Sequence, residues 1–248
     1  MVYNFDKIFL LGPAQMMTGV LRRAKFTPNQ ITLARFFLFI PFSVFLFAQN
    51  RHLLNIIAVI LLYFSVVLDQ VDGNMAREYN LKTEIGAWLD DFIDRINQVL
   101  IIMGIIFGVF VTSGKNLTWL VIGFLLILGT NLQTFIGGAF KEKYSLYIDS
   151  LPRFWSLFEN KKISFWHEIL KDYLAPRDFL STIISTYSYY ILFGAIFNVM
   201  NYMILIMAIL ANVRWMIMTY VFARCVMDKK TKSPLFLNIR KLKGLQET

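Results

Sequence analysis

Long apolar runs alternate with short polar breaks along this chain. Six runs stand out, at residues 31–48, 53–77, 84–112, 117–137, 179–199 and 202–222. Each is near or above the ~20 residues an α-helix needs to cross the hydrocarbon core of a bilayer. The pattern predicts an all-α, polytopic membrane protein: a six-transmembrane-helix bundle with an N-terminal interfacial helix. The run 84–112 is long, so tilt or an extension beyond the bilayer is expected. Only the short stretch 78–83 separates the second and third runs, which predicts an antiparallel hairpin.

The polar segments divide the chain further. Residues 1–30 mix Phe5, Ile8, Phe9, Leu10 and Leu11 with Lys7, Arg22, Arg23 and Lys25. A helix lying on the membrane surface fits that mixture, with a loosely ordered arm as the alternative. Thr27 and Pro28 supply a cap and a first turn for the first run. Residues 31–222 would form the transmembrane catalytic domain, interrupted by a cytoplasmic insertion at 138–178. That insertion interleaves Lys141, Lys143, Arg153, Lys161 and Lys162 with Trp155, Phe158, Phe165 and Trp166. It suits either a helix on anionic headgroups or a solvated connector. Residues 223–248 are a basic tail.

Composition supports the membrane reading. Hydrophobic residues make up 57% of the 248, with 24 Phe and a mean hydropathy of +0.55, against about 45–50% apolar in soluble domains. The single cysteine, Cys225, excludes an internal disulfide. His52 and His167 lie far from the other candidate ligands, so a histidine-based metal site is not expected. The net charge of +9 points to anionic lipid headgroups rather than nucleic acid in so apolar a chain. The first twenty residues lack the features of a cleavable signal peptide. With the amino end in the cytoplasm, the outer loops carry only Arg51 and Lys115 among basic residues, against 20 on the inner side, with Arg35, Arg95 and Arg214 within spans. The bias places both termini in the cytoplasm, at the cell membrane if the source is bacterial.

The chemistry concentrates in 69–94. Asp69, Asp72, Asp90 and Asp94 stand there inside lipid-length apolar sequence, where carboxylates are costly and usually mark a working site. On a helix Asp69, Asp72 and Ala76 share one face, with Gly73 and Arg77 on its edge. Gly86, Asp90 and Asp94 share one face of the next helix. The two faces are expected to meet, since otherwise several carboxylates would point at lipid. Oxygen-only ligation without His or Cys suits Mg²⁺ or Mn²⁺, which retain waters and bind substrate phosphates. Arg77 offers a planar donor for those phosphates. Gly73, Ala76 and Gly86 leave room for a pyrophosphate or a flat group beside the backbone.

The spacing D-x2-D-G-x2-A-R-x8-G-x3-D-x3-D resembles the signature of the CDP-alcohol phosphatidyltransferase family at every fixed position. The resemblance implies two divalent cations and a CDP-linked lipid donor held by the motif. It implies Asp69, Asp72 and Asp90 as metal ligands, and Asp94 as both ligand and general base. It assigns the CDP group to Asp69, Gly73, Ala76, Arg77 and Gly86. The stretch 27–35 also resembles the start of the first span in many family members. On that likeness Asn29, Thr32 and Arg35 would line the nucleotide site, with helix capping and a snorkelling arginine as the plainer roles. A homodimer is implied as well.

The expected reaction is transfer of a phosphatidyl group from a lipid such as CDP-diacylglycerol to an alcohol, with release of CMP, in phospholipid biosynthesis. Arg177 could contact an acceptor phosphate, or its Pro-x-Asp neighbourhood could simply cap the fifth span. Arg214, deep in the sixth span, calls for a carboxylate partner such as Asp91 or for a substrate phosphate. Asp91 could instead pair with Arg95 one turn on. Two other classes compete with the enzyme. An ion carrier or channel would use buried carboxylates but would not require Gly73, Ala76, Arg77 and Gly86 at these positions. A nonenzymatic scaffold would not require the complete acidic set.

Overall fold

The computed structural model describes residues 10–81, 83–144 and 179–231, and every regular element among them is helical. We number them α1 (Gly12–Arg23), α2 (Pro28–Gln49), α3 (His52–Glu78), α4 (Glu84–Thr112), α5 (Thr118–Tyr144), α6 (Phe179–Ile196) and α7 (Met200–Thr231). Five are long and apolar enough to cross a membrane: α2, α3, α4, α5 and, over Met200–Ala223, α7. Within α6, Tyr187–Ile196 is a further apolar stretch. The chain forms two compact units, residues 1–120 with 191–201, and residues 121–190 with 202–248. Arg177 and most of the insertion 138–178 lie outside the described residues, as does the tail beyond Thr231.

In the first unit, α1 buries Ala14 and Thr18 while exposing Met16 and Val20. Ala14 joins Ile31, Val67, Leu68, Val71 and Met75 in one cluster, which fastens α1 and the start of α2 to the second half of α3. Arg22 and Arg23 occupy the last turn of α1, where cations complement the helix dipole. Lys25 turns the chain with φ 64°. Thr27 then caps α2 in a reciprocal box with Gln30: the Gln30 N–H donates to Thr27 Oγ1, and the Thr27 N–H donates to Gln30 Oε1 at 2.9 Å.

One irregularity shapes α2. Residues Arg35–Phe39 form a wide π-turn in which the Ile40 N–H reaches back five residues to the Arg35 carbonyl. Pro41 lies just beyond. It has no N–H for the Phe37 carbonyl, and its ring crowds that carbonyl in a regular helix. A local π-turn absorbs the mismatch, and such turns recur at functional sites.

Helix α2 runs between the two motif-bearing helices and packs along both, whereas α3 and α4 scarcely touch each other directly. Two glycines four residues apart allow the close approach to α4. A Cβ on Gly104 would stand 2.9 Å from the Val44 carbonyl oxygen, and one on Gly108 would meet the Phe47 carbonyl. Small residues at this spacing let membrane helices touch backbone to backbone. The far end is tied by Asn50, in the left-handed conformation, whose Nδ2 donates to Thr112 Oγ1 at 2.7 Å.

The second unit holds a polar centre of its own. Gln133 is fully buried and donates to the Ala211 carbonyl at 2.7 Å, with the Tyr187 hydroxyl at 3.5 Å. Gly129 lets α5 approach Ala211 closely, and Asn212 Nδ2 donates to the Leu125 carbonyl at 2.9 Å. Arg214 is buried in this unit.

Candidate metal and phosphate site

The site lies in the first unit, near the end where α2 and α4 begin and α3 finishes. Asp69 and Asp72 project from the second half of α3, Asp90 and Asp94 from the first turns of α4, and Thr32 and Arg35 from α2. One carboxylate oxygen from each of Asp69, Asp72 and Asp90 lies within 4.8 Å of the others. The two motif faces therefore converge as the spacing predicts. They do so around α2 rather than by direct packing of α3 on α4.

Arg35 sits at the centre. Its Nη1 pairs with Asp69 Oδ1, while its Nη2 reaches Asp94 Oδ1 at 2.7 Å and Asp90 Oδ1 at 3.2 Å. The side chain is 3% exposed. Its Nε is buried without a hydrogen-bond partner. Asp72, itself buried, accepts a hydrogen bond on Oδ2 from the Thr32 hydroxyl at 2.8 Å. Asp90 is the most open of the acids, with 42% of its side chain exposed against 12% for Asp94. Asp91 points elsewhere and pairs with Arg95 at 3.2 Å, the i+4 alternative.

At the polar rim, the Gly86 N–H donates to Thr83 Oγ1 at 3.0 Å, so Thr83 caps α4. The space where a Gly86 Cβ would sit is bordered by Thr83 Oγ1 at 2.8 Å and Asn29 Oδ1 at 2.9 Å. Asn29 and Gly86, far apart in sequence, are thus neighbours. Arg77 is exposed, donates to Asn74 Oδ1 at 2.9 Å, and lays its guanidinium 3.3 Å from the position a Gly73 Cβ would take. Ala76 is half-buried on the same stretch of α3.

The donor set fits divalent cations. Four carboxylates meet one buried guanidinium, which leaves excess negative charge. Their oxygens are the hard ligands Mg²⁺ and Mn²⁺ favour. A cluster of this kind needs further positive charge to remain ionised away from water. Sequence reasoning missed two features. One is the cap at Thr83, signalled by the spacing Thr83-x-x-Gly86. The other is the role of Arg35 as direct partner of three motif acids: the resemblance of 27–35 placed it at the nucleotide site, but nothing in the sequence paired it with Asp69, Asp90 and Asp94.

A membrane-embedded helical domain with a carboxylate cluster between three helices defines the class. Residues 25–143 match the family model of CDP-alcohol phosphatidyltransferases. Through this region the chain is similar to that family. It is 32% identical over 96 residues to an archaetidylinositol phosphate synthase of Pyrococcus horikoshii, covering 39% of this chain and 49% of that one. It is 28% identical over 133 residues to a CDP-diacylglycerol–glycerol-3-phosphate 3-phosphatidyltransferase of Aquifex aeolicus, covering 53% of this chain and 69% of the relative. The match spans about half the length of the first curated relatives, 50% and 49%. The apo crystal structure of a Mycobacterium tuberculosis phosphatidylinositol phosphate synthase shares the fold. Its TM-score is 0.53 at 16% identity, covering 83% of this chain and 93% of that one.

Proposed function

We propose that this protein transfers a phosphatidyl group from a CDP-linked lipid such as CDP-diacylglycerol to the hydroxyl of an alcohol, releasing CMP. The observation that carries the reading is the convergence of Asp69, Asp72 and Asp90 within 4.8 Å, with Asp94 joined to the same guanidinium. Asp69, Asp72, Asp90 and Asp94 would hold two divalent cations, Mg²⁺ or Mn²⁺. When bound, these would supply Lewis-acid neutralisation of the pyrophosphate and of the departing CMP.

The remaining work falls to the chain. Gly73, Ala76 and Gly86 leave the backbone accessible to the CDP group, and Arg77 and Asn29 reach the same rim. Asp94 accepts one hydrogen bond on Oδ1, and its Oδ2 has no hydrogen-bond partner among the described residues. It takes the proton from the acceptor hydroxyl. The acceptor oxygen forms its bond to the β-phosphorus as the bond to CMP breaks. A positioned carboxylate of this kind contributes on the order of 10²–10⁴ in rate. One named relative takes glycerol 3-phosphate and another makes archaetidylinositol phosphate, which supports a phosphorylated polyol as acceptor here. Arg177 and Arg214 remain candidates for its phosphate.

The layout completes the proposal. Six spans, with α6 as the fifth, put both termini and the site on the cytoplasmic side, where CMP can leave. The amphipathic α1 rests at that interface ahead of the catalytic domain 31–222, the basic tail follows, and the chain works as a homodimer. The test is CMP release from CDP-diacylglycerol with Mg²⁺ or Mn²⁺ and a panel of alcohols, the lipid product being identified by mass. Asp94→Asn is expected to lose at least about a hundredfold in turnover. Turnover like that of the unaltered protein would remove Asp94 as base.

A further inference from the structure

We propose that Arg35 is a resident counter-cation: it holds Asp69, Asp90 and Asp94 together in the metal-free protein and competes with divalent cations for their oxygens. The inference rests on the metal reading of the site given above. Three observations on Arg35 carry it.

First, its two terminal nitrogens engage an oxygen on each of three of the four motif acids, so the guanidinium occupies ground that incoming cations need. Second, its contacts are one-sided. A guanidinium has five N–H donors, and a permanently structural one in an apolar helix would have them satisfied. Here Nε is buried and unpartnered. Third, the residue opens the π-turn ahead of Pro41, a break in α2 that aims it between α3 and α4.

The competition follows from electrostatics. Assembling four carboxylates without a counter-charge is prohibitive in a desolvated setting. One guanidinium permits assembly but leaves the cluster short of neutral. Each bond it makes to a carboxylate must loosen before that oxygen can ligate metal. Arg35 therefore acts as a positioning residue that sets metal affinity and keeps the empty site intact.

Mn²⁺ binding to the purified full chain, read by electron paramagnetic resonance without donor or acceptor, tests this. Arg35→Gln is expected to bind Mn²⁺ at least about tenfold more tightly than the unaltered protein, since a unit charge a few ångströms away is removed. Its metal-free form should melt at a lower temperature, and Mn²⁺ should restore more of the loss. Arg35→Lys, which keeps the charge but not the fork, should fall between. If Arg35→Gln binds Mn²⁺ equally or more weakly while the unaltered protein binds it, the proposal for Arg35 is overturned and the metal site stands. If neither protein binds Mn²⁺, the metal reading itself falls, and this inference with it. Should the variants fail to fold, a structure of the unaltered protein with Mn²⁺ decides. A guanidinium withdrawn from Asp90 and Asp94 supports the proposal; one still bonded to all three acids beside the metal overturns it.

Discussion

Gly86 illustrates how a single residue serves two needs. Its N–H completes the cap of α4 at Thr83, and its missing Cβ lets the ends of Asn29 and Thr83 close in on the backbone. Both neighbours are ends of side chains and can move aside. Gly86→Ala should therefore keep the fold, with a melting temperature near that of the unaltered protein. Cytidine-nucleotide affinity, measured by calorimetry with Mg²⁺, should fall about tenfold, or about 1.4 kcal/mol. Unchanged affinity would take Gly86 out of the nucleotide site. The motif acids were legible because carboxylates are costly in a membrane helix and so carry information. Thr32 was less legible. A threonine near a helix start is usually a cap or a back-bonder, and only the fold shows its hydroxyl on Asp72, forty residues away.

At the scale of elements, the third apolar run coincides with α4, Glu84–Thr112, and the second extends by one residue at each end in α3. Hydropathy read these well because lipid-length helices leave few alternatives. It could not show the π-turn in α2. One extra residue per turn vanishes in an average over eighteen. Nor could it show that α2 lies between α3 and α4, because pairing order is set by side-chain shape, and Gly104 and Gly108 decide it. Gly108→Ala places a methyl against the Phe47 carbonyl, which belongs to backbone and cannot swing away. We expect a loss of about 1–3 kcal/mol in unfolding by detergent titration. Gly138→Ala, which meets nothing within 4 Å, should be neutral or stabilising by about 0.5–1 kcal/mol.

For the whole molecule, the sequence pattern predicts an all-helical membrane protein, and the described residues are helical with five helices able to span. The sidedness proposed from basic residues has a direct check. In a Cys225→Ser background, a membrane-impermeant maleimide added to intact cells should label Lys115→Cys but not Lys82→Cys. Labelling of Lys82→Cys alone would invert the proposed topology. Sequence reasoning reached this scale because charge bias and apolar length are properties of the chain summed over many residues. The order of packing is not such a sum, and only coordinates supply it.

The pairing of Arg35 with Asp69 also bears on how the protein is made. The ribosome delivers the arginine 34 residues ahead of its first acidic partner. An arginine at the centre of a lone helix raises the free energy of insertion by about 2.5–3.5 kcal/mol, and Arg35, nearer the start of α2, carries a part of that cost. The opening segment thus gains its full lodging in the bilayer only when its successor arrives, so the two are best released from the insertion machinery as a pair.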